Sequence, residues 1–353
     1  MEPNAPRATR RSLADVMRWP RRGEIARPAA KPAEAEAEAS APASQPLRST
    51  AATPAPPQPA TQPLRSTAAT PAQPPPQFTE HDIWRHHYRL QSEPFALTPD
   101  PEFLFPSDAH TEAMAGLKLG LWERRGLLVI VGEVGTGKTT LVYSLLSELD
   151  PQIETAYLSN TLLTFEELLQ SALMDFGVEA PSRNRLDLQN ALNGFLRECA
   201  QRGKTAALVI DEAQNLTDEV FEQLRLLLNF ETYKTKLLQI LLSGQPELAD
   251  KLQQPNLRQI GNRVAVRCRL GPLSSREARA YIEHRLNTAG GSLDLFTRAA
   301  LGLLVRKARG IPRRINILAH NALLFAYGRE LERVDRATMA QAVREMKGSI
   351  AAP

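Results

Sequence analysis

Cysteine is scarce in this chain: Cys199 and Cys268 are the two cysteines among its 353 residues. They lie far apart and match no metal-site spacing, which excludes a disulfide scaffold or a zinc finger and predicts reduced thiols. Long apolar runs are also missing, since no stretch approaches the roughly 20 apolar residues that span a bilayer. No signal peptide opens the sequence. We therefore expect a soluble, cytoplasmic protein, with peripheral docking at the inner membrane as the alternative location.

An excess of one charge is absent from most of the chain. Residues 1–78 contain ten Lys/Arg and six Asp/Glu, whereas residues 79–353 contain 33 of each. The net charge of +4 therefore belongs to the first 78 residues. The remainder lacks the basic excess that is typical of DNA-binding domains.

Residues 1–78 are instead rich in proline, with 16 of the 27 prolines and the unit QPLRSTAATPA at both 45–55 and 62–72. This composition cannot bury a core and predicts a disordered basic tail. Within it, apolar side chains at Leu13, Val16, Met17 and Trp19 predict a short helix near residues 11–19. Two interpretations stay open, namely a docking peptide for protein, acidic lipid or nucleic acid, and a solvated basic segment.

The stretch GEVGTGKTT follows the apolar run of residues 127–131 and precedes a helical pattern. Strand, Gly-rich turn and helix in this order form a phosphate-binding loop, because backbone N–H groups and the helix N-terminus attract anions. Lys138 is expected to reach the β- and γ-phosphates of ATP, and the Thr139 hydroxyl to bind Mg²⁺. The predicted nucleotide-binding residues are Gly132, Glu133, Val134, Gly135, Thr136, Gly137, Lys138, Thr139 and Thr140.

Polar residues follow two further predicted strands. Asp211 and Glu212 come directly after the buried run of residues 206–210. We expect Asp211 to hold Mg²⁺ and Glu212 to polarise the attacking water. After the run of residues 237–244, Gln245 or, as second choice, Ser243 is a candidate sensor of the γ-phosphate.

Arginines and helices complete the pattern. Arg263 precedes a predicted fifth strand and is a candidate for stabilising the transition state in a neighbouring subunit, with Arg258 as the competitor. Four amphipathic helices follow from Ser274, which forms a capping box with Glu277. Pro312 at the start of the third helix puts Arg313 near its N-terminus. Strands alternating with helices, followed by a helical bundle, predict an α/β domain with a parallel sheet and a C-terminal lid.

Together these features resemble an AAA+ ATPase. Five segments resemble the ExeA/GspA-type ATPases of bacterial secretion and pilus assembly over residues 81–347: YRLQSEPFALTPDPEFLFPSDAHTEAMAGLKLGL, GEVGTGKTTL, VIDEAQNL, LLSGQPEL and ARGIPRRINIL. The resemblance implies an AAA+ phosphate-loop fold with a five-stranded parallel sheet. It also implies a base pocket walled by Phe95 to Phe105, Arg313 as second sensor and Arg263 as finger. The domains expected are the tail (1–78), the nucleotide-binding domain (79–272) and the lid (273–348).

The expected function is ATP hydrolysis with Mg²⁺, by a homo-oligomeric ring or dimer. This hydrolysis would drive or regulate assembly of a secretion, pilus or polysaccharide-export system through tail-bound partners. ExeA members of type II secretion carry a membrane helix and a peptidoglycan-binding domain after the lid. This sequence ends at Pro353, so the resemblance supports the ATPase core and does not extend to the peptidoglycan role. The alternatives are a DNA-dependent ATPase, against which the neutral charge of residues 79–353 argues, and a nucleotide-switched adaptor.

Overall fold

The computed structural model describes residues 83–350 except Pro181 and Lys234. The predictions for the tail, including the helix near Trp19, lie outside these residues. The described part contains five strands and twelve α-helices. The strands are β1 (Leu127–Gly132), β2 (Ile153–Leu158), β3 (Thr205–Ile210), β4 (Leu238–Gly244) and β5 (Val264–Leu270). The helices are α1 (Ile83–His87), α2 (Asp108–Trp122), α3 (Lys138–Glu148), α4 (Phe165–Asp175), α5 (Arg185–Gln201), α6 (Asp218–Leu227), α7 (Pro246–Lys251), α8 (Arg258–Gly261), α9 (Ser275–Thr288), α10 (Arg298–Ala308), α11 (Pro312–Tyr327) and α12 (Arg336–Ile350).

The five strands form one sheet in the order β2-β3-β4-β1-β5, and every neighbouring pair is parallel. The strands β3 and β4 are buried along their whole length, as expected for a sheet covered by helices on both faces. The predicted α/β fold with a five-stranded parallel sheet is confirmed. Because all strands run the same way, the segments after β1, β3 and β4 meet at one edge of the sheet.

Two apolar layers cover the sheet. One buries Leu208, Ile240 and Leu242 against α4, α5 and α6, and the other buries Ile130 and Val209 against α2 and α3. The phosphate loop begins where β1 leaves this core. The packing of helices on both faces of the sheet thus determines the position of the loop.

A separate apolar core holds the helical lid of α9 to α12 together. The segment before α2 contributes to this lid core through buried Trp84, Tyr88, Leu90 and Phe95. Residues 84–95 therefore pack with the C-terminal helices, although they precede the sheet in sequence. The domain boundaries at 78/79 and 272/273 stay predictions. Within the described residues, no helix is long and apolar enough to cross a bilayer.

Candidate active site

The phosphate loop connects β1 to α3. Gly135 (φ 81°) and Gly137 (φ 97°) adopt left-handed backbone conformations, which glycine reaches without a Cβ penalty. Lys138 opens α3, and its Nζ donates to the carbonyls of Gly132 (2.7 Å) and Glu133 (3.1 Å). Burial lowers the pKa of Lys138, while the carboxylates of Glu212 and Asp211 oppose that effect. The loop and its cation thus lie at the carboxyl edge of the sheet.

Asp211 is buried at the end of β3 and accepts four hydrogen bonds. Its Oδ2 accepts from Thr139 Oγ1 (2.8 Å) and the Tyr157 hydroxyl (3.2 Å). Its Oδ1 accepts from Ser243 Oγ (2.6 Å) and the Glu212 N–H (3.0 Å). The fold therefore brings the predicted residues Thr139, Asp211 and Ser243 into direct contact. A hydroxyl beside a carboxylate supplies the hard oxygen donors that Mg²⁺ prefers, so these residues fit that ion.

Glu212 has an unusual backbone and a restrained side chain. Its φ of 51° and ψ of 36° place it in the left-handed region, which costs on the order of 1–3 kcal/mol for a residue with a Cβ. Its Oε2 accepts from Gln214 Nε2 (2.6 Å) and Gln245 Nε2 (3.2 Å). Gln214 Oε1 in turn accepts from the Gln245 N–H (3.0 Å). The Glu212 carboxylate is thus held by amides from the ends of β3 and β4, and Glu212 lines the same cavity as the loop.

Sequence reasoning missed Gln214 and Tyr157. Gln214 lies in the segment VIDEAQNL, two residues after Glu212. A short 3-10 turn over Ala213–Asn215 brings the Gln214 side chain to the end of β4. Tyr157 lies within β2, where successive side chains point to opposite faces of the sheet. Nothing in the neighbouring sequence indicated a polar partner for it. The proximity of Gln214 to Glu212 was the available signal.

The lid contacts the phosphate loop directly. The Arg313 N–H at the start of α11 donates to the Gly135 carbonyl (3.1 Å). A Cβ on Gly135 would lie 2.5 Å from the Arg313 Cβ, so the two backbones touch. The Arg313 side chain lines the cavity. Arg313 therefore lies beside the loop, as the sequence predicted for a sensor, although that role itself stays a prediction.

The opposite wall of the cavity combines the segment before α2 with lid residues. Ala96 to Pro99 and Phe103 to Phe105 line it, whereas Phe95 is buried in the lid core against Phe296. Phe95 is 1% exposed, so the expected base-pocket wall starts one residue later, at Ala96.

Three buried lid side chains support this wall. Arg285 stacks over Phe103 at 4.4 Å and donates to the carbonyls of Pro94 and Ala96. Asn316 Nδ2 donates to the Ala96 carbonyl (3.1 Å) and its Oδ1 accepts from Tyr281 (2.8 Å). These residues were not predicted as site residues. Their contacts join segments about 190 to 220 positions apart, which no local pattern reveals.

The candidate arginine fingers do not reach this cavity in their own chain. Arg263 precedes β5, whose first residue pairs with Leu127 while its last pairs with Gly132. Six residues of strand separate Arg263 from the loop edge, roughly 20 Å. Its Nη1 donates to the Arg225 carbonyl (3.1 Å) and to Asn229 Oδ1 (2.7 Å). Arg258 lies on α8 and is exposed, so both stay candidates for action on a neighbouring subunit.

The chain is similar in sequence to known proteins. Residues 122–252 match the family described as the AAA domain. Over 262 residues the chain is 39% identical to "General secretion pathway protein A" of Aeromonas hydrophila. The match covers 74% of this chain and 48% of that protein, so the chain spans about half the length of this curated relative.

Solved structures share the fold at low sequence identity. The ORC2 protein of Aeropyrum pernix aligns with a TM-score of 0.57 and 17% identity over 72% of each chain. A chain of Drosophila ORC bound to DNA aligns with 0.56 and 20% identity, over 83% of this chain and 71% of that one. A Walker-type ATPase of Pyrococcus abyssi aligns with 0.53 and 19% identity, over 73% and 77%. At such identities the likeness establishes the fold alone.

Proposed function

The chain belongs to the AAA+ ATPases of the ExeA/GspA type, and from this premise we propose that it binds ATP with Mg²⁺ and hydrolyses it. We further propose that turnover drives or regulates assembly of a secretion, pilus or polysaccharide-export system of the cell envelope. The observation that carries the hydrolysis proposal is the position of Glu212. Its carboxylate lies on the cavity of the phosphate loop and is held by two amide donors, Gln214 and Gln245.

Binding is assigned to the loop and its cation. The N–H groups at the start of α3 have no partner within the helix and attract phosphate oxygens. Lys138 Nζ contacts two loop carbonyls, and a phosphate would compete for it as a charged acceptor. Thr139 and Asp211 would hold Mg²⁺, which would neutralise the charge that develops on the phosphates.

Hydrolysis is assigned to Glu212 and its neighbours. A carboxylate at the cavity orients an attacking water and accepts its proton. Gln245 contacts Glu212 and Ser243 contacts Asp211, so each is suited to sense the γ-phosphate through a different carboxylate. Arg313 would add positive charge from the lid, and Arg263 or Arg258 from a neighbouring subunit. A ring or dimer is therefore part of the proposal.

Two variants test the enzymatic part. Lys138→Ala should abolish ATP binding, because the phosphates lose the buried cation of the loop. Glu212→Gln should bind ATP like the wild type and hydrolyse it at least a hundredfold more slowly, since general-base catalysis contributes about 10²–10⁴ in rate. ATP affinity is measured by calorimetry and turnover by phosphate release. Wild-type turnover by the Glu212→Gln protein would remove Glu212 from the catalytic role.

The envelope role rests on the similarity to General secretion pathway protein A. It is tested by cross-linking the Glu212→Gln protein in cells, because an ATP-bound, stalled subunit retains its partner. We expect recovery of inner-membrane assembly proteins, and loss of that recovery with Lys138→Ala. Recovery of cross-linked DNA without envelope proteins would favour a DNA-dependent ATPase instead.

A further inference from the structure

A buried histidine lies against the phosphate loop and lines the same cavity. His110 is in the first turn of α2 and is 5% exposed. Its Nδ1 lies 2.7 Å from Ser107 Oγ, and its Nε2 lies 3.2 Å from the Thr136 carbonyl oxygen. None of the roles assigned above uses this side chain. It nevertheless joins the segment before the sheet to the centre of the loop.

The hydrogen-bond network determines the protonation of the ring. Ser107 is the N-cap of α2, and its Oγ accepts from the His110 N–H, so its hydroxyl proton is available to Nδ1. A carbonyl oxygen is an acceptor only, and therefore requires a proton on Nε2. Burial disfavours the doubly protonated ring and lowers the pKa of His110, against smaller opposite effects of the hydrogen bond to the Thr136 carbonyl and of Glu277 on α9. The network thus selects the neutral Nε2–H tautomer.

This contact also orients the next amide of the loop. The carbonyl of Thr136 and the N–H of Gly137 belong to one planar, trans peptide unit and point in opposite directions. When Nε2–H holds the carbonyl on the α2 side, the Gly137 N–H points away from α2. Gly137 is the N-cap of α3, where free N–H groups bind anions.

We propose that His110 is a positioning residue of the phosphate loop, which holds the Thr136 carbonyl and thereby directs the Gly137 N–H toward the phosphates. This inference rests on the proposed function, since the phosphates are those of ATP. The glycine supports the same contact, because a Cβ on Gly137 would lie 3.0 Å from His110 Nε2. Histidine and loop are therefore packed without spare space.

Two substitutions separate the hydrogen bond from simple packing. In His110→Gln, the amide nitrogen lies about as far from the backbone as Nε2 and can still donate to Thr136. In His110→Asn, the shorter side chain lies near the position of Nδ1, so it keeps Ser107 as a partner and loses Thr136. Both replace a buried ring with a smaller amide, which makes them matched controls for packing.

The readouts are ATP and ADP affinity by calorimetry, melting temperature, and the ¹⁵N spectrum of the wild-type imidazole at pH 7. We expect the Nε2–H tautomer, affinity within about threefold of wild type for His110→Gln, and about tenfold weaker affinity for His110→Asn, as for one lost hydrogen bond. Equal affinities in the two variants at equal melting temperatures, or an Nδ1–H tautomer, would overturn the proposal. Wild-type protein that binds no ATP would contradict the proposed function instead, while the imidazole spectrum would still decide the His110 contact.

Discussion

Replacing Gly135 with alanine tests the contact between the lid and the phosphate loop. The new Cβ would lie 2.5 Å from the Arg313 Cβ and 3.3 Å from the Ile311 Cγ2. Ordinary van der Waals contact begins near 3.4 Å, so the start of α11 must retreat by about 0.9 Å. That movement lengthens the 3.1 Å hydrogen bond from Arg313 N–H to the Gly135 carbonyl.

The magnitude follows from three contributions. A left-handed alanine costs roughly 1–2 kcal/mol, overpacking about 1–3 kcal/mol, and the lost hydrogen bond about 1 kcal/mol. Gly177 provides the control, because it has a similar φ of 74° and nothing within 4 Å of its built Cβ. Gly177→Ala therefore carries the backbone strain without the clash.

The assay is thermal unfolding together with ATP affinity. At about 3 °C per kcal/mol, we expect Gly177→Ala to lower the melting temperature by ~3 °C and Gly135→Ala by ~10 °C. We also expect weaker ATP binding for Gly135→Ala and unchanged binding for Gly177→Ala. Equal losses of melting temperature in the two variants would refute the close approach of α11 to the loop.

Three further predictions concern the finger, pH and the tail. Arg263→Ala should bind ATP normally and hydrolyse it poorly. Mixing it with Lys138→Ala subunits should restore part of the turnover, because the Lys138→Ala subunit supplies Arg263 and the Arg263→Ala subunit supplies the bound ATP. If the two mutants co-assemble without rescue, Arg258 becomes the candidate. The pKa of His110 is lowered by burial, so the unfolded chain takes up a proton first, and stability should fall as pH drops below about 6.5. His110→Gln should reduce the difference in the free energy of unfolding between pH 7 and pH 5.5, as measured by urea titration. An unchanged difference would refute this prediction. Deleting residues 1–78 should leave ATP binding and the melting temperature unchanged while reducing recruitment to partners. Trp19→Ala should largely reproduce the loss of recruitment. A large drop in melting temperature on deletion would contradict this prediction.

Strand ends and loops were predictable because their signals are contiguous. A buried apolar run followed by GEVGTGKTT, or by Asp211-Glu212, predicts a strand and the polar residues that follow its carboxyl end. Parallel pairing then brings Thr139, Asp211 and Ser243 together without further information. The observed strand β3 begins one residue before the predicted run of residues 206–210, which is the ordinary uncertainty of such limits.

Contacts between distant segments were not predictable in this way. Tyr157 reaches Asp211 across 54 positions, and Arg285 reaches the Pro94 carbonyl across 191. Each contact depends on which face of a helix or strand turns inward once the layers pack. A tyrosine on a half-buried strand and an arginine on a lid helix look the same in sequence whether they face solvent or a partner. Only the packed lid makes Arg285 a buried support of Phe103.

The loop carbonyls suggest how nucleotide and lid are coupled. Gly132 and Glu133 hold Lys138, Gly135 holds the start of α11, and Thr136 faces His110 on α2. If a phosphate draws Lys138 away, the Gly132 and Glu133 carbonyls lose that donor, although Glu133 still accepts from the Thr136 hydroxyl (2.8 Å). The loop can then shift only by moving the groups bound to Gly135 and Thr136. Interfaces packed this closely rearrange between discrete states rather than deform smoothly. ATP binding should therefore alter the α11 contact in the same step, so hydrogen exchange at the Arg313 N–H should change with ATP in the wild type and not in Lys138→Ala.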